Sequence, residues 1–244
     1  MIANRYWKHF FGRGLVDPED DMRITNPPTH PALLSALEQH VIESQFDLKS
    51  LIRLICNSET YQLSSRPNEH NRDDKQNYSR FYPRRLQAEV LADAINQLTN
   101  GSDSFRGQPA GARAIQLPDD QFAQEFHFLA IFGRPNMASA CECERSSTFS
   151  LAQAVQLVNS KETTKKLASP LSRVSLLLRN NSLSDQERIE ELYLRAYSRP
   201  ATASDLKVAE EHLAAADGRP SGIRDSYEDL VWVLLNSREF IYNH

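Results

Sequence analysis

The segment from Phe132 to Ser146 carries the residue types best suited to chemistry in this sequence. It lies between two stretches of helical periodicity and holds two thiols among charged groups, namely Arg134, Cys141, Glu142, Cys143, Glu144 and Arg145. A disulfide between Cys141 and Cys143 would close a small, strained and easily reduced ring, as in a redox-active pair. A metal site would need further ligands, because two thiolates are half of a tetrahedral set and no adjacent histidine completes it. In a third interpretation the cysteines pack as small apolar residues and the charged groups pair with neighbouring helices.

A second group of charged residues, Arg84, Arg85, Glu89 and Asp93, is spaced for a helix. Arg85 and Glu89 are related as i and i+4, and so are Glu89 and Asp93. Two carboxylates beside an arginine could act as a general acid and a general base. Ion pairs at this spacing are routine on helices, so an ion-paired face is the favoured interpretation.

Composition and motifs exclude several classes of function. The 244 residues include only 8 glycines, and 28 Lys and Arg against 32 Asp and Glu give a formal net charge of −4. No G-x-G-x-x-G, G-x-x-x-x-G-K-[ST] or G-x-S-x-G motif occurs, so neither a phosphate-binding loop nor a hydrolase nucleophile elbow is indicated. The histidines are not spaced as metal ligands, and we expect no metal or cofactor in this chain. The basic and aromatic run Arg80–Arg85 could stack a single-stranded base, but the negative net charge argues against a nucleic-acid partner.

Helical periodicity covers almost every stretch in which a period can be read. We therefore predict an all-α fold, an irregular multi-helix bundle with two long loops. We assign residues 1–244 to a single domain. The loops are the polar segment 64–82 and the segment 99–121, which holds three of the eight glycines, and each marks a potential seam between sub-domains.

Capping residues predict where several helices begin. Asp47 is placed as an N-cap, and Ser184-x-x-Glu187 and Thr202-x-x-Asp205 match the capping box. Another helix is predicted to begin just after Pro83. The last helix is predicted to run from about Gly222 to Phe240, with its second half buried on all sides.

Apolar stripes predict which helix faces are buried. Leu151, Ala154, Val155 and Val158 lie at helical spacing, so they are expected to face the core.

The segment Ile2–Phe11 carries a dense aromatic face and begins without a cap. We interpret such a start as the continuation of a longer parent protein.

The sequence shows no sign of membrane insertion or of its own export. No apolar run approaches the ~20 residues of a membrane span, and the N-terminus lacks the apolar stretch of a signal peptide. We therefore expect no membrane-spanning segment in this chain.

Many ordered motifs together resemble the planctomycete-type domain of unknown function 1553. The resemblance runs nearly from end to end of the chain. It rests on Asn4-Arg5-x-Trp7, Phe11-Gly-Arg-Gly-Leu-Val16, Thr25-Asn-Pro-Pro-Thr-His-Pro-x-Leu33, Phe46-Asp-Leu-Lys-x-Leu51, Ser58-x-Thr-Tyr-Gln62, Arg84-Arg-Leu-x-Ala-Glu89, Phe132-Gly-Arg-Pro135, Cys141-x-Cys-Glu-Arg145, Glu191-Leu-Tyr-x-Arg-Ala-x-Ser-Arg-Pro200 and Leu235-Asn-Ser-x-Glu-Phe240.

The resemblance implies a context that the residues themselves do not show. Such domains stand near the C-terminus of large exported bacterial proteins, often with cytochrome-c-like haem modules upstream, and have no established activity. It implies an interaction or scaffold domain whose partners are the upstream domains of its parent protein and other proteins. The parent would be periplasmic or on the cell surface, and any haem c would be held upstream. The alternative is a redox or hydrolytic enzyme module, whose candidate catalytic residues are Arg84, Arg85, Glu89, Arg134, Cys141, Cys143, Glu144 and Arg145.

Overall fold

The computed structural model describes residues 1–118, 126–134, 150–216 and 220–243, and it is mainly α-helical. Helices account for 54% of it and strands for 2%, which confirms the predicted all-α class. The chain divides into two compact units, Met1–Arg84 and Arg85–Asn243. This division follows the 64–82 loop directly. None of the described helices is both long enough and apolar enough to cross a membrane.

The first unit is built on three helices: α1 (Ile2–Phe11), α2 (Pro31–Glu43) and α3 (Leu48–Cys56). The predicted cap at Asp47 is confirmed, since its carboxylate accepts hydrogen bonds from the backbone of Lys49 and Ser50. Its core combines aromatic and aliphatic side chains, namely Ala3, Trp7, Phe11, Leu15, Val16, Leu34, Leu37, Val41, Leu51, Ile55 and Tyr78.

The predicted loop 64–82 contains neither helix nor strand, but it is not confined to the surface. Tyr78 and Phe81 are buried, and the Tyr78 hydroxyl donates to the backbone carbonyl of Gly14 at 2.9 Å. The Tyr78 ring also meets the Trp7 ring edge to face at 5.3 Å. Two buried aromatic rings therefore tie a polar loop to the core of the first unit.

The second unit contains the remaining helices and, apart from Arg84, two strands of two residues each. The helices are α4 (Ala88–Thr99), α5 (His127–Ile131), α6 (Leu151–Val158), α7 (Lys161–Leu167), α8 (Arg173–Arg179), α9 (Asp185–Tyr197), α10 (Ala203–Ala214), α11 (Pro220–Leu235) and α12 (Arg238–Ile241), with a 3-10 turn at Ala114–Gln116. Strands β1 (Arg84–Arg85) and β2 (Tyr242–Asn243) form a two-stranded sheet. The core includes fully buried side chains of α4, α9 and α11, such as Leu91, Leu98, Ile189, Leu192, Val231 and Leu234.

Both predicted capping boxes are present. The Ser184 hydroxyl accepts from the backbone of Glu187, whose carboxylate accepts from the backbone of Ser184. Thr202 and Asp205 make the same reciprocal pair at the start of α10. Each box satisfies N–H groups at a helix start that have no partner within the helix.

Two predicted helix boundaries are wrong. The helix after Pro83 begins at Ala88, because Arg84 and Arg85 are extended in β1 and the Leu86 N–H donates to the Ile241 carbonyl at 2.9 Å. The last helix is interrupted after Leu235, and Ser237 caps α12 by accepting from the backbone of Phe240.

Two predicted burial patterns are also wrong. Val233 of α11 is 56% exposed, so this part of the helix is not buried on all sides. In α6, Leu151, Val155 and Val158 are exposed, while Gln153 and Leu157 are buried. The Gln153 amide donates to the Ile131 carbonyl at 2.9 Å, which turns that face of α6 inward.

Candidate functional site

Two predicted site residues, Glu89 and Arg134, meet in the interior of the second unit. Glu89 lies in the first turn of α4, and Arg134 follows α5 directly after Gly133, which adopts a positive φ of 79°. The Glu89 Oε1 to Arg134 Nε distance is 3.6 Å, and the two side chains are 5% and 4% exposed. A carboxylate in the first turn also suits the positive end of the helix dipole.

The guanidinium of Arg134 also anchors a third segment. Its Nη2 donates to the carbonyl of Leu117, just after the 3-10 turn, at 3.0 Å. Its backbone N–H donates to the carbonyl of Leu129 in α5 at 2.9 Å. One arginine therefore joins the start of α4, the end of α5 and the chain at Leu117.

The neighbouring Arg85 lies outside the helix and does not pair with Glu89 in the predicted i, i+4 manner. Its Nη2 donates to the carbonyl of Phe132 at 2.9 Å, and its guanidinium lies 5.5 Å from the centre of the Phe132 ring. Burial lowers the pKa of the Arg85 guanidinium below its ordinary value. Arg85 and Arg134 therefore both contribute to holding the Phe132-Gly-Arg134 turn.

Arg84 forms hydrogen bonds with the first helix of the first unit. Its Nη1 and Nη2 donate to the carbonyls of His9 and Phe10 at the C-terminal end of α1, each at 2.6 Å. This end of a helix carries partial negative charge, so a cation there is favourable. Burial lowers the pKa of the Arg84 guanidinium.

Asp93 has partners of its own, separate from Glu89. Its two carboxylate oxygens accept from the backbone N–H groups of Ala114 at 2.8 Å and Ile115 at 3.2 Å. Arg113 lies 3.3 Å from the same carboxylate. In the described structure Asp93 therefore holds the 3-10 turn against α4.

The cysteine motif cannot be placed beside these residues. Cys141, Cys143, Glu144 and Arg145 lie outside the described residues, so their three interpretations stay predictions. Cys56, in the last turn of α3, is a partly buried free thiol whose pKa is raised by burial. Within the described ranges, no group of three or more His, Cys, Asp or Glu is arranged to hold a metal ion.

A pocket that the sequence did not predict lies in the second unit among α4, α5, α6 and α7. It has a volume of about 210 Å³. At its edge Lys166 Nζ and Asp103 Oδ1 lie 2.6 Å apart, with side chains 13% and 8% exposed. The other oxygen of Asp103 accepts from Asn96 at 2.7 Å. No local motif signals this ion pair, because its partners are distant in the sequence.

Comparison with known families assigns the chain. A family model described as a protein of unknown function, DUF1553, matches residues 1–213. The chain belongs to the DUF1553 family. The matched part of this DUF1553 chain contains the Glu89–Arg134 pair and the pocket, and it ends within α10. No curated protein and no solved structure shows significant similarity to the chain.

Proposed function

We propose that this DUF1553 chain is an interaction or scaffold domain of an exported bacterial protein of the planctomycete type. Its partners are upstream domains of the same parent protein, including cytochrome-c-like modules that hold haem c, within a redox or polysaccharide-handling assembly. Membership of the family supports the context of this proposal.

The observation that carries the proposal is the use of charged groups in the described part of the chain. Arg84, Arg85 and Arg134 donate to backbone carbonyls, and Glu89 pairs with Arg134 in the interior. These contacts join separate segments of the chain. Such a pattern is typical of residues that stabilise a fold, since a reacting group must reach its substrate.

A second function, a redox or hydrolytic enzyme module, has one supporting observation. Arg134 is held by Glu89 and by the Leu117 carbonyl, and the Cys141-x-Cys143-Glu144-Arg145 motif follows it in the sequence. A fixed arginine at that point would position the segment that carries the thiols. The enzyme hypothesis places the chemistry on Cys141 and Cys143.

One set of measurements separates the two functions. The reading frame upstream of Met1 is sequenced, and any module with a Cys-x-x-Cys-His haem-attachment motif is purified and titrated against this chain by calorimetry. The thiols are counted with and without reductant in the natural chain and in Cys141→Ser and Cys143→Ser variants. Cys56→Ser is the matched control, since it removes a thiol from a different place.

The scaffold proposal expects a signal peptide upstream, saturable binding to the haem module, and no change in binding on substitution of either cysteine. Absence of an export signal, or absence of binding, would overturn it. Substrate turnover that is lost in Cys141→Ser and kept in Cys56→Ser would establish the enzyme instead.

A further inference from the structure

The pocket among α4, α5, α6 and α7 has an apolar side and a charged side. Ala92 and Ile95 of α4 and Phe128 of α5 line the apolar side. Among the described residues, the ionisable side chains that line the pocket are Asp103, Glu162, Lys166 and His127. An apolar surface with a few polar groups is the usual composition of a small-molecule site.

The size of the pocket limits what it can hold. Its volume is about 210 Å³, and a cavity of about 150 Å³ accommodates benzene. The space therefore fits one ring with a short substituent, or an aliphatic body of similar volume. Larger molecules would have to extend into solvent.

The charges around the pocket favour a cation. The positive charge of Lys166 is balanced by Asp103, whose second oxygen is occupied by Asn96. Glu162 is exposed at the rim, and the Ser160 hydroxyl donates to its Oε2 at 3.3 Å. With His127 counted as neutral, the described residues that line the pocket thus leave one formal negative charge, carried at Glu162, and an anionic ligand would face two carboxylates. The nearby aromatic rings of Phe126 and Phe128 also favour a cation.

We propose that this pocket binds a small organic amine. Its ammonium group pairs with Glu162, and its apolar body lies against Ile95 and Phe128. This site is independent of the scaffold proposal, because it requires neither an upstream module nor the cysteine motif.

Three probes that share a phenylethyl group and differ in charge test the ligand class. They are 2-phenylethylamine, 2-phenylethanol and 3-phenylpropionate, each titrated into the full chain at pH 7 and followed by calorimetry and by NMR shifts. A ligand of this size is expected to bind with a Kd of about 1 mM or tighter. The amine should bind about fivefold more tightly than the acid, because an ion pair with an exposed carboxylate adds up to roughly that factor.

Two variants locate the site. Glu162→Gln removes the charge at the rim and should weaken amine binding by up to about fivefold, while Glu210→Gln makes the same change at an exposed position of α10 and should leave it unaltered. Ala92→Leu fills the pocket from α4 and should abolish binding of all three probes. Circular dichroism checks that this variant keeps its helices.

Three outcomes would overturn the proposal. The first is an acid that binds as tightly as the amine, which would place an anion on Lys166. The second is amine binding that is unaffected by Glu162→Gln. The third is an absence of amine binding at a concentration about ten times the expected Kd. Failure of the haem-module titration would leave these results unaffected, so the two proposals fail separately.

Discussion

Glu89 and Arg134 form an ion pair in the interior of the second unit, with 3.6 Å between Oε1 and Nε. Both side chains are almost completely removed from water. Attraction between the two charges offsets a large part of the cost of burying each one. Removal of either partner therefore loses this attraction but leaves the cost of burying the other charge.

We expect Glu89→Gln to lower the free energy of unfolding by about 3–5 kcal/mol, because breaking a buried ion pair by removing one partner is strongly destabilising. Urea titration measures the change. Glu191→Gln is the matched control, since it breaks the pair with Arg195, whose side chains are about one-third exposed, and it should cost less than about 1 kcal/mol. Equal losses in the two variants would show that burial does not increase the cost of breaking an ion pair.

The cost of replacing Gly12 by alanine, compared with the same change at Gly111, tests how closely Arg84 packs against Gly12. Both Gly12 and Gly111 adopt a positive φ, 80° and 81°. A Cβ at Gly12 would lie 2.5 Å from Cδ of Arg84, whereas a Cβ at Gly111 would have no atom within 4 Å. Gly111→Ala should cost about 1–2 kcal/mol from the backbone alone, and Gly12→Ala should cost more. Thermal unfolding measures both, and equal shifts in Tm would contradict the expected contact.

Two leucines of α6 test which face of this helix is buried. Leu157 is 9% exposed and Leu151 is 80% exposed. Leu157→Ala should lower the free energy of unfolding by about 2–5 kcal/mol, and Leu151→Ala should change it by less than about 0.5 kcal/mol. Urea titration of both variants decides the matter. A larger loss for Leu151→Ala than for Leu157→Ala would show that the apolar stripe predicted from the sequence is the buried face.

Tyr197 should make stability depend on pH in the alkaline range. Burial raises its pKa from 10.0 to about 12, so the folded state favours the neutral phenol. This contribution is complete below pH 10 and is lost as the pH rises through about 12. Stability measured by urea titration from pH 8 upward should fall less steeply in Tyr197→Phe. An unchanged slope would show that this tyrosine does not contribute.

Tyr197→Phe also has a predicted effect at neutral pH. The Tyr197 hydroxyl and the Ser237 hydroxyl are 2.9 Å apart. Loss of this hydrogen bond should cost about 1 kcal/mol. Urea titration at pH 8 separates this loss from the alkaline effect, because the phenol is neutral there.

Features encoded within one helical turn could be predicted from the sequence. Asp47 caps α3, and the pairs Ser184–Glu187 and Thr202–Asp205 cap α9 and α10 as expected. Each cap joins atoms two or three residues apart, so the identity of those residues is enough to specify it. The all-α class follows in the same way from the periodicity of the chain.

Burial could not be predicted where a helix has apolar residues on more than one side. In α6 the stripe containing Leu151 and Val155 lies outward, while Gln153 and Leu157 face inward. The hydrogen bond from Gln153 to the Ile131 carbonyl contributes to this orientation. Its acceptor belongs to another helix, so the pattern within α6 gives no sign of it.

The sequence by itself determined that the chain is helical, where several helices begin, and that charged residues gather in two segments, one with Arg85 and Glu89 and one with Arg134. Only the tertiary structure decided that Glu89 pairs with Arg134 and that Lys166 pairs with Asp103 beside a pocket. The physical reason is the range of the interactions. A cap is complete within a few residues, whereas these ion pairs form when packing of the core brings distant segments together and removes both charges from water.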